Sequence, residues 1–161
     1  MTTTRLEGLN EDFRDLVVLF ADRGVAFVVV GAYALGFHGA PRASGDIDLL
    51  VRPSNENALR VESALLEFGA PLDSHGVSGN DFAIPGTVYQ IGLPPRRIDI
   101  LTEITGVTFD EAWASRVPAE VEGRTIHVLG RADFIKNKLA TGRPKDLADA
   151  ARLTALRQKK T

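Results

Sequence analysis

Two aspartates one residue apart, Asp46 and Asp48, are the first place in the sequence where side-chain type and spacing point to chemistry. They open the run Asp46-Ile-Asp-Leu-Leu-Val51, whose composition predicts a strand stopped by Pro53. Side chains two apart on a strand share a face, so both carboxylates project together with Cβ atoms roughly 6.6 Å apart, while Ile47 and Leu49 turn toward a core. Like charges held that close repel unless a cation lies between them, and hard divalent cations favour oxygen ligands. A third acid, Asp99, falls mid-strand in Arg97-Ile-Asp-Ile-Leu101, where a carboxylate is costly unless it is paired or liganded. If the two strands are neighbours, three carboxylates converge. Such a triad can hold two magnesium ions about 3.5 to 4 Å apart, one lowering the pKa of an attacking hydroxyl and one bracing a leaving pyrophosphate. The bland alternatives are a solvated or capping pair for Asp46 and Asp48, and an ion pair with Arg96 or Arg97 for Asp99.

The elements that must position these groups follow from periodicity and punctuation. Phe13, Leu16, Val17, Leu19 and Phe20 recur at helical spacing between Glu11 and Arg23, with Gly24 where a glycine stop belongs. Val25 to Val30 is a short, continuous apolar run, predicted to be a strand buried on both faces and ended by Gly31. A short helix follows over 32–37, broken at Gly39-Ala-Pro41. Ser54 reads as the N-cap of a helix reaching Phe68 and Gly69. Residues 70–86 read mostly as loop, and 87–91 and 96–101 as two strands flanking Gly92-Leu-Pro-Pro95. Phe109 to Trp113 is predicted to form one or two helical turns, and Glu120 to Val128 a hairpin turning at Glu122-Gly123. Two helices close the chain, 132–140 and 144–157, separated by Gly142 with Pro144 at a favourable first position.

The chain of 161 residues suits one α/β core with a short appendage, and its 44% hydrophobic and 25% charged residues are the usage of an ordinary globular protein. The absence of cysteine excludes disulfide scaffolds and cysteine-based zinc sites. No apolar run is long enough for a membrane span and Met1 to Arg5 does not lead into a signal-peptide core, so the expectation is a cytoplasmic protein with no membrane partner. The formal charge of -2 is unevenly spread. Residues 131 to 161 carry nine Lys or Arg against three Asp, a net of +6, which leaves -8 on the first 130. The division expected is therefore a core over 1–130 and a basic helical extension over 131–161 packed on it. That extension reads either as a solvated face or as a surface for phosphate.

In this order of elements the chain resembles the nucleotidyltransferase superfamily of the DNA polymerase β type. It looks most like the small bacterial nucleotidyltransferase-like proteins related to the toxins of abortive-infection toxin–antitoxin systems. The likeness spans roughly residues 13 to 155. It rests on Gly39-x-x-Arg42-x-Ser44-x-Asp46-Ile-Asp48, on Ile91-Gly-x-Pro-Pro-x-Arg-Ile-Asp99-Ile-Leu, and on Lys138-x-x-x-Gly-Arg-x-Lys-Asp146. The resemblance implies a mixed α/β (α+β) fold, with a mixed sheet flanked by helices and a C-terminal helical appendage. It also implies transfer of a nucleoside monophosphate from a nucleoside triphosphate, with magnesium or manganese held by Asp46 and Asp48, and Asp99 as ligand or general base. The acceptor is open among RNA, protein and small molecules, and an antitoxin-like protein is an implied partner. One departure bears on activity: Ala32 stands where the pattern has Gly or Ser, and supplies only its backbone N–H to a triphosphate.

Around that centre, Gly31 and Ala32 are expected to face the triphosphate, with Arg42, Ser44 and Lys138 as further nucleotide-binding candidates. Arg42 reads equally as a partner of surface acids, and Ser44 as a cap for the turn. Lys136, Lys138, Arg143 and Lys145 face either phosphate or solvent, His38 reads as structural, and Trp113 as core. A dinucleotide-binding turn is disfavoured because Tyr33 stands at its middle glycine and Asp46 and Asp48 open their strand rather than end it, and no Gly-Lys-Ser or Gly-Lys-Thr phosphate loop occurs. The competing readings are a catalytically weak or inactive protein of the same fold that binds or regulates a partner, and a nucleic-acid-binding module built on the basic tail.

Overall fold

Asn10 starts the first helix by accepting a hydrogen bond from the Phe13 amide at 2.9 Å. That helix, α1 (Glu11–Asp22), buries Phe13, Leu16, Val17 and Phe20 along one stripe. In the computed structural model, which describes residues 3–41 and 45–156, the following elements are β1 (Phe27–Val30), α2 (Gly31–Phe37), β2 (Ile47–Val51) and α3 (Asn55–Phe68). Then come β3 (Val88–Ile91), β4 (Ile98–Leu101), α4 (Phe109–Ala114), β5 (Val117–Val121), β6 (Arg124–Val128), α5 (Arg131–Thr141) and α6 (Pro144–Ala155). A short 3-10 turn, Gly79–Ala83, interrupts the long connection before β3.

The strands form one six-stranded mixed sheet in the order β3-β4-β2-β1-β6-β5. β2 runs parallel to β4 and antiparallel to β1, and β6 runs parallel to β1. Central β1 is buried at every position, as its unbroken apolar run predicts. The hydrophobic core runs from Leu6 through Phe13, Val29, Leu49, Leu65 and Ile100 to Phe134 and Leu153, so α5 and α6 contribute to the same core as the sheet. No helix among the described residues is long and apolar enough to cross a membrane.

Strand starts differ from the sequence expectation by one to three residues, and those of β1 and β5 have a visible cause. β1 begins at Phe27 rather than Val25, because the Asn57 side chain on α3 captures both the amide and the carbonyl of Ala26, at 2.7 and 3.0 Å. β5 begins at Val117, three residues before the expected start. Pro118 is tolerated because β5 is an edge strand, where a missing amide breaks no ladder on the outer side. The N-terminal segment covers part of that edge, with Leu6 donating to the Glu120 carbonyl at 3.1 Å and Glu120 donating to that of Thr4 at 2.9 Å. The hairpin turn at Glu122-Gly123 lies where it was expected.

Candidate functional site

Parallel pairing of β2 with β4 sets Asp48 directly opposite Asp99, one register step above Ile47 opposite Ile98. Asp46 lies just before β2, and its Oδ1 accepts the backbone N–H of Arg97 at 3.2 Å. The structure therefore gathers all three acids at one end of adjacent strands. The apolar residues between them are what fix that placement: Ile47, Leu49, Ile98 and Ile100 are buried, and a slip of one residue would drive the carboxylates into the core.

The cluster is closed by a guanidinium. Arg97 donates through Nε to Asp99 Oδ1 at 2.8 Å and through Nη2 to Asp99 Oδ2 at 3.2 Å, and its Nη2 also lies 3.3 Å from Asp46 Oδ2. The sequence offered Arg97 as a partner for Asp99 alone; here it bridges two of the three acids. Asp48 is left to Asp99. Burial, a hydrogen bond to the Asp99 carboxyl and the negative charges of Asp99 and Asp46 push the Asp48 carboxyl up to about 7, with Lys138 opposing. The Asp48 carboxyl thus holds its proton to a higher pH than an ordinary aspartate.

Gly31 opens α2 with φ +70 and is buried against this carboxylate. A Cβ there would overlap Asp48 Oδ2, so the residue must be glycine on two counts, conformation and space. Ala32 follows in the first turn, half-buried. Tyr33, which sequence reading treated only as a break in another motif, has its hydroxyl pushed up by burial and then by the charge of Asp46, and lies 3.3 Å from the Gly8 carbonyl oxygen. A cleft of about 500 Å³ opens beside it, lined by Leu6, Gly8, Ala32, Tyr33, Phe37 and Pro41. Arg42 and Ser44 lie outside the described residues.

Lys138 reaches the site from α5. Its side chain is only 13% exposed, its charge is felt at Asp48, and its Nζ lies 3.3 Å from Asp146 Oδ1. Asp146 also accepts from Thr141 Oγ1 at 2.7 Å and Arg143 Nε at 2.8 Å. Burial pulls its carboxyl upward, but the Thr141 hydroxyl and the two cations outweigh it and hold the pKa below the usual range. Removing Asp146 strands a nearly buried ammonium. Asp146→Ala is expected to lower stability by about 2 to 4 kcal/mol, measured by urea denaturation, and to do so more than Arg143→Ala, whose partner would keep two other donors.

Most cations in the described part of the basic extension have a protein partner, though several stay exposed to solvent. Lys136 pairs with Glu111 at 2.9 Å, Lys138 and Arg143 share Asp146, and Arg131 and Arg152 donate to carbonyls of Leu153 and Pro41. Lys145 is exposed, and Arg157, Lys159 and Lys160 lie outside the described residues. His38 is fixed by a hydrogen bond of 2.7 Å with the Leu129 carbonyl oxygen. Trp113 packs on Phe109 and under the Arg116 guanidinium, 3.9 Å from its ring centre.

As for metal, no group of three or more His, Cys, Asp or Glu among the described residues is arranged to hold an ion. The Arg97 guanidinium contacts oxygens of Asp46 and Asp99 that a bound ion would also need. The donor set itself fits a hard divalent ion, being all carboxylate oxygen and already holding a cation between Asp46 and Asp99.

The same arrangement of sheet and helices recurs in a solved structure from Thermotoga maritima, a protein given provisionally as a nucleotidyltransferase. The two share 16% identity, 94% of this chain and 98% of the other superpose, and the TM-score is 0.57. This chain has the nucleotidyltransferase fold. At that identity the likeness carries the fold and not the chemistry, and it agrees with the mixed sheet read from the sequence. An antigenic nucleotidyltransferase-like protein from Paracoccidioides brasiliensis is more distant, at 11% identity over 94% of this chain and 78% of its own, with a TM-score of 0.46. No protein-family model and no curated protein matches the chain. Within the nucleotidyltransferase fold, the acids stand where the sheet's parallel pair ends, beside the glycine that opens α2.

Proposed function

We propose that the protein transfers a nucleoside monophosphate from a nucleoside triphosphate to an acceptor hydroxyl in a metal-dependent reaction. The observation that carries this is the register of β2 with β4, which sets Asp48 against Asp99 with Asp46 at their side and Gly31 pressed on Asp48. Asp46 and Asp48 would hold magnesium or manganese, with Asp99 completing the set or taking the proton of the acceptor hydroxyl. A bound divalent ion supplies Lewis-acid stabilisation of phosphoryl oxygens and lowers the pKa of a nearby hydroxyl.

The protein's own groups do the rest. The Gly31-Ala32 turn presents backbone amides beside the acids, and Gly31 keeps that approach free of side chain. Lys138, anchored by Asp146, adds positive charge beside the carboxylates for an approaching polyphosphate. Arg42 and Ser44 belong to the same proposal as nucleotide-binding residues on sequence grounds. The cleft lined by Ala32, Tyr33 and Phe37 adjoins the turn and is large enough for a nucleoside.

A second reading, a binding or regulatory protein on this scaffold, is favoured by one observation: Arg97 already neutralises part of the acid cluster without a metal, so the three acids need no ion to coexist. The resemblance extends the enzyme reading to the toxin of a toxin–antitoxin pair, with an antitoxin-like partner. Incubation with each α-labelled triphosphate, magnesium and either RNA, cell protein or small hydroxyl compounds separates the readings. The enzyme labels one acceptor class. The scaffold labels none at any metal concentration while still capturing its partner.

The tail supports a further expected outcome. Because most of its described cations already have protein partners, neutralising exposed Lys145 alone should change the salt dependence of RNA binding by well under the slope of about 0.7 to 0.9 that one lost phosphate contact gives. A filter-binding titration over salt measures it, and a steep loss would show that Lys145 is a main phosphate contact.

A further inference from the structure

The proposed transfer reaction assigns no role to Arg97, a charged side chain within the acid cluster. Four contacts converge on it: Nε and Nη2 on the two Asp99 oxygens, Nη2 on Asp46 Oδ2, and its own backbone N–H on Asp46 Oδ1. We propose that Arg97 is an internal cation that holds Asp46 and Asp99 together until a divalent ion takes its place, and that the displaced guanidinium then binds the phosphates of the incoming nucleotide. This rests on the metal-dependent reading above.

The geometry separates such a device from a structural clamp. The Asp99 side chain is 10% exposed, whereas those of Arg97 and Asp46 are 29% and 27% exposed, so the guanidinium reaches solvent beside Asp46 and can leave without crossing the core. The Arg97 backbone stays in place, because its carbonyl accepts the Ile47 amide at 3.1 Å and its N–H is held by Asp46. Only the side chain has to swing. A divalent ion and a guanidinium compete directly here, since both need the oxygens of Asp46 and Asp99. Once displaced, Arg97 remains beside the ion with its fork of donors free, and that fork matches a phosphate group in two-point fashion. Lys138 does not duplicate it, because Asp146 anchors that ammonium from α6.

The two halves of the proposal predict opposite signs for one substitution. In Arg97→Gln, manganese titrated without nucleotide and followed by electron paramagnetic resonance should bind about tenfold more tightly, because the competing cation is gone. At saturating manganese, a non-hydrolysable triphosphate analogue should bind about tenfold more weakly, because the phosphate contact is gone. Arg97→Lys keeps a charge but not the fork, and should show both shifts at smaller size; it carries the test if the glutamine variant fails to fold. Manganese binding that is unchanged or weaker in either folded variant overturns the competition, and unchanged analogue binding overturns the release. Absence of manganese binding in the wild type itself overturns the metal-dependent reading, and this inference with it, which distinguishes that failure from the other two.

Discussion

Replacing Gly31 with valine is expected to abolish manganese binding and nucleotide binding together while lowering stability. The backbone at Gly31 has φ +70, and a side chain in the left-handed region costs on the order of 1 to 2 kcal/mol, more for a β-branched residue. The larger effect is spatial. Any Cβ at this position overlaps Asp48 Oδ2, so the carboxylate must leave its place opposite Asp99. Gly24 provides the control, since it has φ +71 but nothing within 4 Å of where a Cβ would stand. Gly24→Ala should therefore lose stability without losing either ligand, whereas Gly31→Ala should lose both. Urea denaturation alongside manganese titration checks this, and a Gly31→Val protein that binds manganese as the wild type does would contradict the placement of the site.

The second large effect concerns Asp48→Asn, and its sign runs against the usual expectation for a polar-site substitution. The folded-state pKa of Asp48, about 7, lies above its ordinary value of 3.8. Between those values the folded protein keeps a proton that the unfolded chain has released, so metal-free stability falls as pH rises from about 4 to about 7 and levels off above. Asparagine resembles the protonated form and cannot ionise. Asp48→Asn should thus be more stable than the wild type at pH 8 without metal, by on the order of 1 to 3 kcal/mol, with the difference shrinking toward pH 4. The same variant should bind manganese at least about a hundredfold more weakly, having lost a charged oxygen ligand. Melting temperature followed against pH, with and without manganese, measures both. A wild-type protein whose metal-free stability rises from pH 5 to pH 7 while Asp48→Asn tracks it would show that Asp48 ionises freely.

The acids were legible in the sequence because strand chemistry exposes them. An Asp-x-Asp at the opening of an apolar run, and a lone Asp flanked by isoleucines, have few inexpensive placements in a sheet, and parallel pairing of the two runs is the one that brings Asp48 to Asp99. Gly31 was legible as a turn residue, but its second reason for being glycine was not, because contact with Asp48 crosses 17 positions of sequence. The Arg97 bridge was half legible. Arg97 and Asp99 share a strand face by alternation, while the additional hold on Asp46 depends on how the segment before β2 lies against β4. The Asp146 cluster required the turn at Gly142 to fold α6 back on α5, bringing Lys138, Thr141 and Arg143 to one carboxylate. The strand starts at Phe27 and Val117 were not legible at all. One is set by Asn57, 31 residues from the Ala26 it captures, and the other by the edge position of β5, neither of which is a local property of those residues.

Transfer of label from an α-labelled nucleoside triphosphate, compared with γ-labelled triphosphate, tests the central claim most directly. With magnesium or manganese and the competent acceptor, the wild type should move α-label and no γ-label onto that acceptor, and both Asp48→Asn and removal of the metal by chelation should stop it. Transfer of γ-label instead, or α-label transfer that persists unchanged in Asp48→Asn, would contradict nucleotidyl transfer at Asp46, Asp48 and Asp99.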